Sequence, residues 1–168
     1  MRQNRKLTSQ QGFSVVEMLM AVLILVLTLS FIGGGITVVK DAYLNITLRV
    51  EAQTLLSTVI TTVSNELQNA KDIKKIEEVN ELAYWSFYNT ERGYRIYFQN
   101  KNNNIYIKTE VSSQEVPLLT TKTITNGLVP KLEDLNYEDQ VFTCTIKIYY
   151  KDQVYAKQEL SVRPINMD

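Results

Sequence analysis

The chain has 168 residues, 18 of them basic and 18 acidic, with no histidine and one cysteine. That length holds one domain plus an anchor and little more, a lone cysteine excludes an internal disulfide, and the lack of histidine removes the commonest general base and metal ligand. The neutral total hides an asymmetry: Arg2, Arg5 and Lys6 precede residue 12 with no acid among them, leaving 15 bases against 18 acids in the remainder, which argues against a nucleic-acid binder driven by bulk charge.

Residues 1–12, MRQNRKLTSQQG, form a short polar and basic leader. Such a flank precedes targeting and membrane segments, and the positive-inside rule keeps it in the cytoplasm and sends the rest of the chain outward. Residues 15–32 are almost unbroken hydrocarbon, long enough to cross a bilayer core as a helix. One acid, Glu17, interrupts them. A charge at the centre of a membrane helix costs on the order of 2.5–3.5 kcal/mol and less near an end, so snorkelling to the interface is its ordinary explanation. A cleaved secretory signal would need a shorter apolar core than this one, and Gly33, Gly34 and Gly35 make only a weak cleavage site.

The stretch Gly12-Phe13-Ser14-Val15-Val16-Glu17 resembles the prepilin processing motif of type IV pilins and pseudopilins. There a glycine ends the leader, an aromatic residue begins the mature chain, and glutamate is its fifth residue. The resemblance implies that a prepilin peptidase cuts between Gly12 and Phe13 and methylates the new Phe13 amine. Glu17 would then neutralise that amine, its own or a neighbouring subunit's, as pilin or pseudopilin subunits join a filament at an inner-membrane assembly platform. Physical chemistry supports the pairing independently. An α-amino group and a carboxylate four residues on share a helix face, about 6 Å apart along the axis, and pairing removes two desolvation costs together.

Gly33, Gly34 and Gly35 follow directly. Each glycine costs a helix interior about 1 kcal/mol relative to alanine, so three in a row mark a soft point. In the family a helix-breaking proline often sits nearby, and the triplet is a candidate hinge in its place. The competing role is a close-packing spot for neighbouring helices.

Residues 36–73 turn amphipathic. Leu44, Leu48, Ala52, Leu55, Leu56, Val59, Val63, Leu67 and Ala70 recur at intervals of three and four, the spacing of one helix face. Residues 58–63, TVITTV, are all β-branched and oppose a helix, but the periodicity runs through them. One helix from Phe13 to about Ala70 is expected, about 85 Å long. The charged run at 71–78 reads as a solvated connection. Lys71, Lys74 and Lys75 within it are the only candidate DNA contact, and adjacent acids oppose it.

Beyond residue 80 the period becomes two, and nine of the ten tyrosines lie here, as suits strands. Residues 83–88 read as a first strand. Tyr94, Ile96 and Phe98 followed by a turn at 100–104 and by Ile105, Ile107, Thr109 and Val111 read as a hairpin. Residues 116–119 and 122–125 are weaker strand candidates, and Pro130 precludes a central strand at its position. Phe142, Cys144, Ile146, Ile148 and Tyr150 alternate, turn at 151–153, and pair with 154–162. Cys144 falls on the apolar face as a small buried hydrophobe. An antiparallel sheet of about five to seven strands can bury one face against residues 44–70.

No catalytic constellation is legible: there is no glycine-rich phosphate loop and no cysteine pair for zinc, so no cofactor, metal or enzymatic activity is expected. Glu133, Asp134, Glu138 and Asp139 read as a solvated loop, since they lack the alternating ligand order of a calcium site. The expected fold is α+β, in four parts: leader 1–12, membrane or filament-core half-helix 13–35, amphipathic half-helix 36–75, and antiparallel β domain 76–168. More faintly, Asn65-Glu66-Leu67-Gln68-Asn69-Ala70 and the late hairpin ending in Ser161-Val162-Arg163 are similar to minor pilins of the W type and minor pseudopilins of the J type. The resemblance implies a single-pass membrane precursor that becomes part of a surface or periplasmic filament. A membrane-tethered binding domain that does not polymerise is the alternative.

Overall fold

A computed structural model describes residues 14–76, 85–109, 115–120 and 122–165. The fold is α+β. Helix α1 (Val15–Gln68) is followed by eight strands: β1 (Ala70–Lys75), β2 (Trp85–Asn89), β3 (Tyr94–Lys101), β4 (Asn104–Thr109), β5 (Glu115–Pro117), β6 (Val129–Glu138), β7 (Val141–Tyr150) and β8 (Gln153–Val162). The chain divides into two compact units, Met1–Leu44 and Asn45–Asp168.

The described part of the first unit is helical from Val15 onward, and all of its residues are exposed. Its hydroxyls bond back to the helix's own carbonyls: Thr28 to Ile24, Ser30 to Val26, and Thr37 to Gly34. Polar side chains in an apolar run are thereby satisfied without water. Helix α1 passes through Gly33, Gly34 and Gly35 without a break.

In the second unit, α1 buries Ala52, Leu55, Leu56, Val59, Val63 and Leu67, the predicted stripe from Ala52 onward, whereas Leu44 is exposed and Leu48 half-buried. The β-branched run stays helical. Thr58, Thr61 and Thr62 donate their hydroxyls to the carbonyls of Thr54, Ser57 and Thr58, while Val59 and Val63 fill the core. Burial of this face outweighs propensities of a few tenths of a kcal/mol per residue.

The helix stops at Gln68 without a glycine, because other elements cap it. Thr90 donates from its backbone and its hydroxyl to the Asn69 carbonyl, and the Ile165 N–H reaches the Gln68 carbonyl at 2.9 Å. Orphan carbonyls that need a partner find it in tertiary structure. The next residues form β1, whereas the sequence suggests a solvated connection at 71–78. Its charges are those of an edge strand with one wet face: Lys71 pairs with Tyr88 and Lys74 with Ser86, across a bulge where Asp72 has φ 46°.

Two antiparallel sheets stand where one was expected. The first has the order β1-β2-β3-β4-β5 and the second β6-β7-β8. The 94–109 and 141–162 hairpins have the predicted pairings. The first turns on Asn102 and Asn103 alone, both at positive φ, the pattern of a two-residue hairpin turn. Residues 122–125 form turns. Strand β6 replaces the loop expected around the acids at 133–138. A bulge between Glu133 and Asn136, with Asp134 at φ 53°, moves the inward positions from Pro130 and Leu132 to Leu135 and Tyr137, so the run does not read as alternating. Pro130 is tolerated because β6 lies at the sheet edge. Of the expected first strand and hairpin, Ala83, Tyr84 and Val111 lie outside the described residues.

A chain of rings joins the two sheets: Trp85 to Tyr137, Tyr137 to Phe142, Phe142 to Phe87 and Phe87 to Phe98, with centroids 4.7–5.9 Å apart. Asn100 adds a polar join. Its side-chain amide donates to the Leu132 carbonyl at 2.9 Å and accepts from the Leu132 N–H at 3.1 Å.

Candidate assembly site at the start of the helix

The first helical turn is built from four residues, Ser14-Val15-Val16-Glu17. The Ser14 carbonyl accepts the first intrahelical bond from Met18 at 3.1 Å. The Ser14 hydroxyl accepts from the Glu17 N–H at 3.2 Å, and the Glu17 carboxylate accepts from the Ser14 N–H at 2.8 Å. This is a capping box: each side chain satisfies a donor that the helix cannot. The carboxylate also sits at the positive end of the helix dipole.

Glu17 therefore has a local structural role that the sequence reading does not assign to it. The signal is present as serine three residues before glutamate, ahead of an apolar run. Ser14 is the other half of this cap and has no role assigned from the sequence. Gly12 and Phe13, the expected cleavage and methylation positions, lie outside the described residues.

Behind this turn Val15, Leu19, Val22, Leu23, Val26 and Phe31 are all at least half exposed. Helix α1 is long and apolar enough to cross a membrane. A continuous hydrocarbon cylinder of this length is far larger than the apolar patches that soluble proteins tolerate. At Gly33, Gly34 and Gly35 a Cβ would meet nothing within 4 Å, so nothing within the described chain requires glycine there.

The other residues singled out by sequence do not converge on one site. Lys71 and Lys74 share a sheet face with Tyr88 and Ser86, whereas Lys75 pairs with Trp85 on the opposite face. Glu133 is held by Lys147 and by the Tyr149 hydroxyl. Burial alone would raise its pKa, and those two hydrogen bonds reverse this and hold it below the usual carboxylate range. Asp134, Glu138 and Asp139 stay exposed along β6 and its turn. Among the described residues no group of three or more histidine, cysteine or acidic side chains could hold a metal ion. Cys144 is buried on the inner face of β7, where burial pushes its thiol up to about 12, so it stays protonated and unreactive at neutral pH.

Comparison of the chain with family models, with curated protein sequences and with solved structures returns no match.

Proposed function

We propose that the chain is a pilin-like structural subunit, of the minor type, of a type IV filament or a related secretion or competence pseudopilus. One observation carries this reading: Glu17 stands in the first turn of a membrane-length apolar helix, five residues into the chain that begins at Phe13. The positive flank before Gly12 supports an N-terminus in the cytoplasm and a β domain outside. The work of such a subunit is assembly. Hydrocarbon that holds α1 in the bilayer is what neighbouring subunits would bury in a filament, with Glu17 answering the amine at Phe13. Its partners are then the peptidase that cuts at Gly12, the other subunits and the assembly platform.

The Ser14–Glu17 capping box favours a second reading. Glu17 has a use in an ordinary anchor, and the chain would then be a tethered extracytoplasmic binding domain. Purification from the native membrane separates the two. A subunit co-purifies with other chains bearing the same N-terminal motif; a tethered domain is recovered without them.

A further inference from the structure

The outer face of the five-stranded sheet carries three tyrosines on a diagonal. In register, Tyr88 of β2 lies opposite Arg95 of β3, Tyr97 lies opposite Lys108 of β4, and Tyr106 lies opposite Gln99. Each tyrosine is thus one strand over and two residues along from the last. Diagonal neighbours of this kind are about 7–8 Å apart. Tyr88 is exposed and Tyr97 and Tyr106 are half-buried, standing outward from a sheet whose other face holds Phe87, Ile96, Phe98 and Ile107 in the core.

Cations flank the diagonal. Lys71, Lys74, Arg95, Lys101 and Lys108 share this face, against the acids Asp72 and Glu115. Asp72 is held by Arg95 and Lys74, and Glu115 by Lys101 and Lys108. Three net positive charges remain among the described residues. Among the described residues this face is basic, on a chain whose formal net charge is zero.

We propose that this face binds single-stranded nucleic acid, with successive bases stacked on Tyr88, Tyr97 and Tyr106 and the phosphates passing Lys71, Lys74, Lys101 and Lys108. Rings on adjacent strands of an antiparallel sheet make a sequence-tolerant stacking platform, because every base has a π-face. A duplex keeps its bases stacked inside and has nothing to offer the rings. The net acidity of the chain after Gly12 opposes binding through charge alone, so stacking has to lead. The inference is independent of filament assembly, since it concerns only residues of the sheet.

The test uses the full chain in neutral detergent micelles and a fluorescent oligothymidine of about ten nucleotides, within the usual site size for such platforms. Binding is expected, with log K falling against log salt at a slope of about −2, the value for three neutralised phosphates on a single strand. Tyr97→Thr with Tyr106→Thr should weaken it about tenfold or more, and Tyr97→Phe with Tyr106→Phe should retain it. Photo-crosslinking of an iodouracil-bearing strand to the unmutated chain needs no variant and should label peptides containing Tyr88, Tyr97 or Tyr106. Absence of binding, labelling confined to other peptides, or equal affinity for a duplex or an anionic polysaccharide would each overturn the proposal.

Discussion

Ser14 and Glu17 each hold the other's backbone N–H at the first turn of α1, at 3.2 and 2.8 Å. The cap is one role for Glu17 and the proposed pairing with the Phe13 amine is another, and glutamine separates them. Glutamine closes a capping box as glutamate does but carries no charge to answer an amine. Glu17→Gln should be processed normally and enter filaments several-fold less than wild type, as counted by immunoblot of sheared filaments. Glu17→Ala should do no better. If glutamine restores incorporation that alanine loses, the cap alone accounts for the residue.

Arg92 clasps the Glu66 carboxylate from the β2–β3 turn, with Nη2 to Oε1 at 2.6 Å and Nε to Oε2 at 3.0 Å, and Asn89 donates to the same carboxylate at 2.8 Å. The Glu66 side chain is only 12% exposed. Arg92→Ala leaves that charge with one donor, at a cost of about 2 kcal/mol, between the values for exposed and buried pairs. Arg92→Lys should recover only part of it, because the fork is lost. Urea unfolding followed by the fluorescence of Trp85, the sole tryptophan, measures both.

Phe87 is fully buried and touches the rings of Phe98 and Phe142, which makes it one link between the sheets, beside Trp85–Tyr137 and Asn100–Leu132. Phe87→Ala should cost about 3–5 kcal/mol and shift the Trp85 emission, since Trp85 belongs to the same ring chain. A loss below 1 kcal/mol would mean that the other joins carry the contact between the sheets without Phe87.

Much of this β unit is legible in the sequence because its inner faces alternate cleanly. Phe142, Cys144, Ile146 and Ile148 are all buried, as period two requires. Helix α1 is legible through its β-branched run for the same reason. The failures also have physical causes. Strand β1 is hidden because an edge strand with a wet face needs few apolar residues, and β6 because a bulge at Asp134 breaks its alternation. The end of α1, expected near Ala70, falls at Gln68, where Asn69 closes the last turn on the Asn65 carbonyl while Thr90 and Ile165 close it from other elements. At the candidate site, Glu17 stands out as a charge in hydrocarbon, while Ser14 is easily passed over as a small polar residue.

Acid should weaken the second sheet. In the folded chain burial pushes the Glu133 carboxyl up, but hydrogen bonds from Lys147 and Tyr149 and the charges of Lys147 and Lys131 together hold it below its ordinary 4.5. A depressed folded pKa contributes stability above the unfolded value that is lost as pH falls through the folded one. Wild type should therefore lose stability steadily below about pH 4.5, and Glu133→Gln should start less stable and show a flatter acid limb. Parallel limbs for the two proteins would remove Glu133 from the acid response.

The filament-subunit reading rests on where the mature chain begins. Intact-mass spectrometry of the protein from its native membrane measures this directly, with tandem fragmentation of its N-terminal peptide. The predicted result is a chain that starts at Phe13 and is heavier by one methylene group at its amine. A chain that keeps residues 1–12, or one cut near Gly35, would contradict it.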